Sequence, residues 1–188
     1  FRSNTHRMFS RNSASSRAIP FRKMVEMVEK DGFEPIAFQE DHKGMQGSTY
    51  LTGYGKQEAW DFWLQAKDEA VKYATGLHEA GVTKQLCNRI LEPFMYHTVI
   101  ITATHYKNFF DLRSPKYIVD NKEYRSRKEA MADNPGVDFS ALTEEDWQLI
   151  NKTQAEIHIS RLAECMWDCY QESEPTKLDA GEWHIPFG

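Results

Sequence analysis

Cysteine is scarce in this sequence and shows neither a metal-binding nor a disulfide pattern. The chain has three cysteines, at positions 87, 165 and 169, and this odd number lacks the paired spacing of metal ligands. No apolar run reaches the length of a membrane-spanning helix, and no secretory signal opens the chain. We therefore expect a protein with no metal site and no membrane partner, in a reducing, cytoplasmic setting.

Acidic residues are absent from the first 23 positions, which carry six basic residues. All 28 acidic residues follow this segment, in a chain whose net charge is −5. A basic segment in an acidic protein indicates a local anion site rather than a broad nucleic-acid surface. The alternative is a solvated basic tail, but such tails are usually more repetitive and richer in lysine. We expect no nucleic-acid partner.

The pattern of apolar residues predicts a mixed fold. Hydrophobic residues make up 40% of the 188 positions, which favours one folded domain. Helical spacing and capping signals predict helices over residues 21–30, 57–80, 84–91 and 143–171, with Gly81 ending the second and Thr83 capping the third. A β-branched run over 95–104 predicts a buried strand, with a short helix after it. Mainly loop is expected over residues 1–18, 31–56 and 114–142.

The last predicted helix has a capping signal and an apolar stripe. Thr143 and Asp146 resemble a capping box, in which each residue bonds the backbone of the other. Leu162, Met166, Cys169 and Tyr170 are expected to form the core face of this helix.

Residues 5–20, with the sequence THRMFSRNSASSRAIP, concentrate groups that bind phosphate. The stretch contains one imidazole, three guanidinium groups and four serine hydroxyls. Arginine can contact phosphate through two parallel hydrogen bonds, and serine hydroxyls near a helix start complete such a site. The residues therefore predict a phosphate-bearing ligand, without identifying it.

The same stretch resembles the signature of flavin-dependent thymidylate synthases, the ThyX family. His6 and Arg7 are followed by seven residues and then Ser15, as in the arginine-histidine-arginine, seven-residue, serine signature. Arg17 also falls where that family has arginine. Thr5 replaces the first arginine, and threonine at this place is familiar in the phage-encoded branch.

Two later segments resemble the family in the same order. Arg89, in CNRILEP, matches an arginine that family members use on the nucleotide. Asn108 and Arg113, in NFFDLR, match a flavin-contacting asparagine and the arginine beside the pyrimidine ring. Residues 154–157 resemble the helix that follows directly in shorter members, so residues 114–152 are predicted to be an insertion.

The resemblance implies an α/β (α+β) fold with long helices packed on a small sheet, assembled as a homotetramer whose active sites are shared between subunits. It implies a reaction in which NADPH reduces bound FAD, methylenetetrahydrofolate donates the carbon, and dUMP becomes dTMP. The implied location is the cytoplasm, or the host cytoplasm if a phage encodes the chain. Family members have a strand and a helix before the motif, so we expect residues 1–188 to form a single domain lacking that first segment.

The resemblance also implies roles for individual residues. Arg113 is the expected catalytic residue, because its guanidinium would stabilise negative charge on the pyrimidine. The nucleotide is expected to contact Ser13, Ala14, Ser15, Ser16, Arg17 and Arg89, together with Arg113. The flavin is expected to contact Thr5, His6, Arg7, Thr102, Thr104 and Asn108, although shorter members carry Asn and Arg in place of the two later threonines.

Each role has a structural alternative. Ser15 and Ser16 could simply cap a helix, Arg113 could be a surface residue at a helix end, and His6 could be a structural histidine. His97, His105 and His158 have no motif support and are expected to be core or surface residues.

Two other functions remain open from the sequence. A related enzyme would act on dCMP, or would leave a hydroxymethyl group instead of a methyl group. A non-catalytic nucleotide- or nucleic-acid-binding module would be colourless, and its binding would weaken steeply with salt.

Overall fold

Helices dominate the chain, and its strands are short antiparallel pairs, which confirms the predicted α+β class. The computed structural model describes residues 9–43 and 49–183, with the side chains of residues 9–12 left undescribed. The chain divides into two compact units. The first contains the residues up to Asn108 with Glu156–His158, and the second contains Phe109–Ala155 and the residues from Ile159 onwards. No helix in the described ranges is both long and apolar enough to cross a membrane.

Three helices build the first unit, and local signals in the sequence fix where they end. They are α1 (Phe21–Asp31), α2 (Gly53–Glu79) and α3 (Lys84–Leu91), so the three predicted helices are confirmed, with α2 starting four residues before the predicted position 57. Gly81 follows α2 with φ of 86°, a left-handed conformation that favours glycine at a helix end. The Thr83 side chain accepts a hydrogen bond from the Gln85 amide and caps α3.

The core of the first unit lies between these helices. Its fully buried members come from all three of them: Met24 and Val28 of α1, Ala74 of α2, and Cys87 and Leu91 of α3. These small and medium side chains let the helices approach closely, and their burial supplies the main driving force for folding.

A strand pair also belongs to the first unit. Strand β1 (Phe9–Ser13) pairs with β2 (Val99–Ala103) in antiparallel register, with Phe9 opposite Ala103. The loop predicted for residues 1–18 is therefore wrong over β1, because main-chain pairing organises a polar segment that has no hydrophobic periodicity. The prediction of a buried strand is also wrong, since Val99 and Ile100 are each 39% exposed; β-branched residues favour extended backbone whether or not they are buried.

The stretch predicted to be a loop after Arg113 is folded. Helix α4 (Lys107–Arg113) is followed by β3 (Tyr117–Val119), β4 (Lys122–Tyr124) and α5 (Arg127–Asp133). The two strands form a hairpin whose turn residues, Asp120 and Asn121, have φ values of 47° and 61°. Aspartate and asparagine tolerate this left-handed conformation, so the Asp-Asn pair is the turn signal that the loop prediction missed.

The last predicted helix is two helices, α6 (Glu144–Ile150) and α7 (Ile157–Glu172). The capping box of Thr143 and Asp146 is confirmed at the start of α6. The chain leaves the helix at Asn151, whose side-chain oxygen accepts hydrogen bonds from the amides of Lys116 and Thr153, both at 3.0 Å. These bonds offer the backbone an alternative to continuing the helix.

The predicted core face of α7 is also wrong. Leu162 and Tyr170 are 49% and 57% exposed, and Cys169 is exposed, while Met166 is half-buried. The buried side chains of α7 in the second unit include Ser160, Ala163 and Glu164, so this helix turns a partly polar face inward. The reason is a set of charged partners on the other elements of the second unit.

These partners form what we call the ion network, made of Tyr117, Arg127, Glu144, Arg161 and Glu164. The Arg127 guanidinium donates to both oxygens of Glu144, at 2.9 and 2.6 Å, and its Nε donates to Tyr117 Oη at 3.1 Å. Glu164, only 2% exposed, accepts from Tyr117 Oη at 3.1 Å, from the Arg127 amide at 2.7 Å and from Arg161. Two positive and two negative groups thus neutralise each other inside the second unit.

Candidate functional site

The segment that follows β1 carries most of the residues predicted to bind the nucleotide. Ser13 ends β1, the Ala14 amide donates to the Thr98 carbonyl at 3.1 Å, and Ser16–Ala18 form a single 3₁₀ turn. Ser13, Ala14, Ser15 and Arg17 are exposed, whereas Ser16 is 6% exposed. Ser15 precedes the turn without a side-chain capping bond, so its hydroxyl has no capping role here.

One face of α3, extended by Glu92, forms hydrogen bonds with the segment that follows β1. Residues 84, 88 and 92 are spaced four apart and therefore lie on one side of a helix. Lys84 Nζ donates to the Ala18 carbonyl at 3.1 Å, and Asn88 Nδ2 donates to the carbonyls of Ser16 and Ile19 at 2.8 and 3.0 Å. Glu92 accepts the Ser16 hydroxyl. We call residues 16–19, held in this way, the anchored turn.

Two of the arginines predicted to contact the nucleotide lie on these two segments. Arg17 lies within the anchored turn, and Arg89 lies on α3 next to Asn88. The side chains of Arg17 and Arg89 are exposed. Neither guanidinium forms an ion pair with a carboxylate of the described residues. Segments separated by about 70 residues are thus joined, and their arginines remain available to an anionic ligand.

Ser16 differs from the other predicted nucleotide-binding residues. Its hydroxyl is directed to Glu92 and its carbonyl to Asn88, so both polar groups are used inside the protein. The structure gives Ser16 a role in holding the turn. Its contact with a nucleotide stays a prediction.

The predicted flavin-binding residues divide into two groups. Thr5, His6 and Arg7 lie outside the described residues. Thr102, at the end of β2, Thr104, just after it, and Asn108, in the first turn of α4, are exposed. Strand β1, which follows the His6–Arg7 motif in sequence, pairs with β2 so that Phe9 faces Ala103, the residue between the two threonines.

Arg113 is the last residue of α4 and is half-buried in the second unit. The following residue, Ser114, is 1% exposed, and its hydroxyl has no partner among the described groups. The catalytic role of Arg113 stays a prediction.

His158, which was expected to be a core or surface residue, is half-buried. Its Nε2 accepts the Ile36 amide at 3.0 Å, its Nδ1 contacts Glu156, and its ring packs edge-on against Phe33 at 5.4 Å. All of these contacts lie within the first unit and hold loop backbone in place. The motifs did not reveal Asn88, Glu92 and Lys84, although their four-residue spacing was a usable signal.

The described ranges offer no metal site: no cluster of three or more histidine, cysteine or acidic side chains has the required geometry. A shallow depression on the outer face of α2 is lined by Tyr54, Gln57, Glu58, Asp61, Phe62 and Gln65. None of these residues was predicted to bind a ligand.

Comparisons with known proteins bear on the fold. No family model matches the chain, and no curated protein matches it. A crystal structure of a UMP/dUMP methylase, PolB from Streptomyces cacaoi, bound with 5-Br UMP, matches with a TM-score of 0.51 and 15% sequence identity. The match covers 90% of this chain and 61% of the PolB chain, so this chain spans less than two thirds of that structure. The α+β fold of this chain is therefore similar to that of a UMP/dUMP methylase.

Proposed function

We propose that this chain is a pyrimidine-nucleotide methylase, and that it is a flavin-dependent thymidylate synthase of the ThyX type converting dUMP to dTMP. The observation that carries the proposal is the fold similarity to a UMP/dUMP methylase over 90% of the chain. The signature around His6, Arg7 and Ser15, recognised from the sequence alone, supports the same class independently. Because fold does not determine function by itself, the residues of the site must support the same class.

The exposed arginines support a nucleotide monophosphate as the ligand. Arg17 and Arg89 extend from segments that are bonded to each other, and neither has a carboxylate partner among the described residues. Guanidinium groups bind phosphate oxygens through two hydrogen bonds, and the exposed Ser15 hydroxyl can add a third donor. A dianionic phosphate would thus find both charge and directional donors on this surface.

The residues present also fit a flavin. Along β2 and just beyond it, Thr102 and Thr104 are exposed while Ile101 and Ala103 are half-buried, so two hydroxyls occupy alternate positions. Asn108 adds an exposed amide that can both donate and accept. We propose that these three residues hold FAD together with Thr5, His6 and Arg7. The flavin supplies the electron-carrying chemistry, with NADPH as reductant and methylenetetrahydrofolate as carbon donor.

Arg113 would assist the reaction on the pyrimidine. A guanidinium remains charged at any physiological pH, so it can stabilise negative charge that develops on the ring when a ring nitrogen loses its proton. This role needs no cysteine nucleophile, and Cys87, the cysteine nearest to a recognised motif, is fully buried and donates to the Val82 carbonyl.

Self-association is part of the proposal, and α2 supports it. Tyr54, Phe62 and Tyr73 are 81%, 63% and 62% exposed, and at about 100° per residue they fall within about 100° of one another around the helix. Large aromatic side chains that are exposed along one side of a helix favour a surface that binds another protein. We propose that subunits associate as a homotetramer, which a mass measurement in solution tests.

A visible spectrum followed by product analysis tests the function. The purified protein, reconstituted with FAD, should be yellow and should convert dUMP to dTMP when NADPH and methylenetetrahydrofolate are present. UMP and dCMP are assayed in parallel, because PolB is a UMP/dUMP methylase and a dCMP enzyme remains an alternative. Methylation of UMP or dCMP alone would keep the methylase class and refute dUMP as substrate. Failure to bind flavin or any pyrimidine nucleotide would refute the proposal.

A further inference from the structure

The anchored turn is held by a buried side chain, Asn88, one of whose two polar atoms lacks a partner among the described residues. Asn88 is completely buried, next to the core residues Cys87 and Leu91, and its Oδ1 has no hydrogen-bond partner among the described residues. The amide cannot rotate to relieve this, because Oδ1 would then face the carbonyl oxygens of Ser16 and Ile19. A buried polar atom without a partner is unfavourable, and such departures are concentrated where a protein serves function.

The side-chain amide of Asn88 holds the backbone of the anchored turn in one conformation. Its two N–H groups bind two carbonyls of the anchored turn, Lys84 binds the Ala18 carbonyl between them, and Glu92 binds the Ser16 hydroxyl. Three carbonyl oxygens, which would repel a phosphate, are thereby directed to α3 and neutralised. Ser15 and Arg17, on either side of Ser16, remain exposed.

We propose that Asn88 is a positioning residue for the nucleotide phosphate. Together with Lys84 and Glu92, Asn88 fixes the anchored turn before the ligand binds. This inference rests on the proposed function, because it takes Arg17 and Ser15 as phosphate contacts. A turn already fixed in its bound shape does not lose conformational freedom when the ligand arrives, so affinity for the phosphate rises without any new contact. Asn88 itself touches no ligand in this scheme.

Nucleotide and nucleoside affinities separate this role from a general structural one. In the FAD-loaded protein, Asn88→Ala should weaken dUMP binding by about 10- to 100-fold and change deoxyuridine binding by less than about 3-fold, because only the phosphate site is disordered. The matched control is Cys87→Ala, which truncates the neighbouring fully buried residue of α3 and breaks no bond to the anchored turn. It should leave the ratio of the two affinities unchanged even if it lowers the melting temperature.

A second pair of variants keeps the test decisive if Asn88→Ala does not fold. Glu92 is only half-buried, and Glu92→Ala removes the acceptor of the Ser16 hydroxyl, so dUMP binding should weaken by about 3- to 10-fold. Glu92→Gln keeps an oxygen acceptor and should restore it. Equal losses for dUMP and deoxyuridine, or unchanged dUMP affinity in all these variants, would overturn the positioning role. If the unmodified protein binds no pyrimidine nucleotide, the proposed function fails, and this inference fails with it.

Discussion

The two units of the chain bury polar groups in opposite ways. In the ion network of the second unit, Arg127 is paired with Glu144 and bonded to Tyr117, so its charge is neutralised within the protein. In the first unit the most deeply buried polar side chain is an uncharged amide, Asn88, while Arg17 and Arg89 stay exposed without a carboxylate partner in the described ranges. Arginine content alone therefore does not locate a site. The state of pairing separates arginines that stabilise the fold from those available to a ligand.

The largest effect should come from breaking the ion network. Arg127→Met leaves the half-buried Glu144 without its guanidinium partner, and removal of one member of a buried pair costs about 3–5 kcal/mol. Glu164, almost fully buried, loses a more distant charge but keeps Arg161. Chemical denaturation measures the loss of stability. Lys128→Met is the matched control, since Lys128 forms an exposed pair with Glu172, and such pairs contribute at most about 1 kcal/mol. Equal losses in the two variants would mean that the network does not stabilise the second unit.

A variant of Arg113, a half-buried residue of the second unit, tests the catalytic role proposed for it. Arg113→Ala should lower kcat by about 10²–10³-fold, the range for loss of one charge-stabilising group, while flavin absorbance and the midpoint of unfolding remain close to those of the unmodified protein. Lys116→Ala, a change to another half-buried cation of the second unit, should leave kcat unchanged. Full activity of Arg113→Ala would refute the proposed role of Arg113.

A variant of Arg89 tests whether an exposed arginine of the first unit binds the nucleotide. Arg89→Ala should weaken dUMP binding by about 10- to 100-fold, because a hydrogen bond to a charged group contributes about 1.5–3 kcal/mol. Stability should hardly change, since the side chain is exposed and has no ion pair with a described carboxylate. Arg22→Ala, an exposed cation on α1, serves as the control for net charge. If Arg89→Ala binds dUMP as well as Arg22→Ala and the unmodified protein do, Arg89 does not contact the phosphate.

The separation in sequence between interacting residues decides which parts of the fold could be predicted. The C-terminal end of α2 depends on Gly81, and the N-terminal end of α3 depends on Thr83. Each residue acts within a few positions of itself, and both helix ends were predicted. The break between α6 and α7 depends on Asn151 binding the Lys116 amide, 35 positions earlier. Helical periodicity carries no record of such a partner, so the two helices were predicted as one.

The candidate site follows the same division. Ser15, Arg17 and Arg89 stand in recognisable strings, and the structure leaves all three exposed on segments that are bonded together. Asn88 and Glu92 were not predicted, because their bonds to the anchored turn span 72 and 76 positions of sequence. Motifs predict the groups that are expected to meet a ligand, whereas the folded structure shows which residues hold those motifs in place.

The free energy of unfolding should also depend on pH in the alkaline range. Burial, reinforced by the charge of Glu164, raises the pKa of Tyr117 from its ordinary value of 10 to about 12. A group whose pKa is higher in the folded state stabilises the fold fully below the unfolded pKa, so the free energy of unfolding should fall between about pH 10 and pH 12. Tyr117→Phe should remove this fall, although it loses two hydrogen bonds at neutral pH.

Tyr54→Phe changes an 81% exposed phenol and should leave the alkaline slope intact. Denaturation series at several alkaline pH values would contradict this account if Tyr117→Phe and the unmodified protein lost stability in parallel. That result would assign the slope to other groups and would mean that the second unit tolerates a charged phenolate beside Glu164.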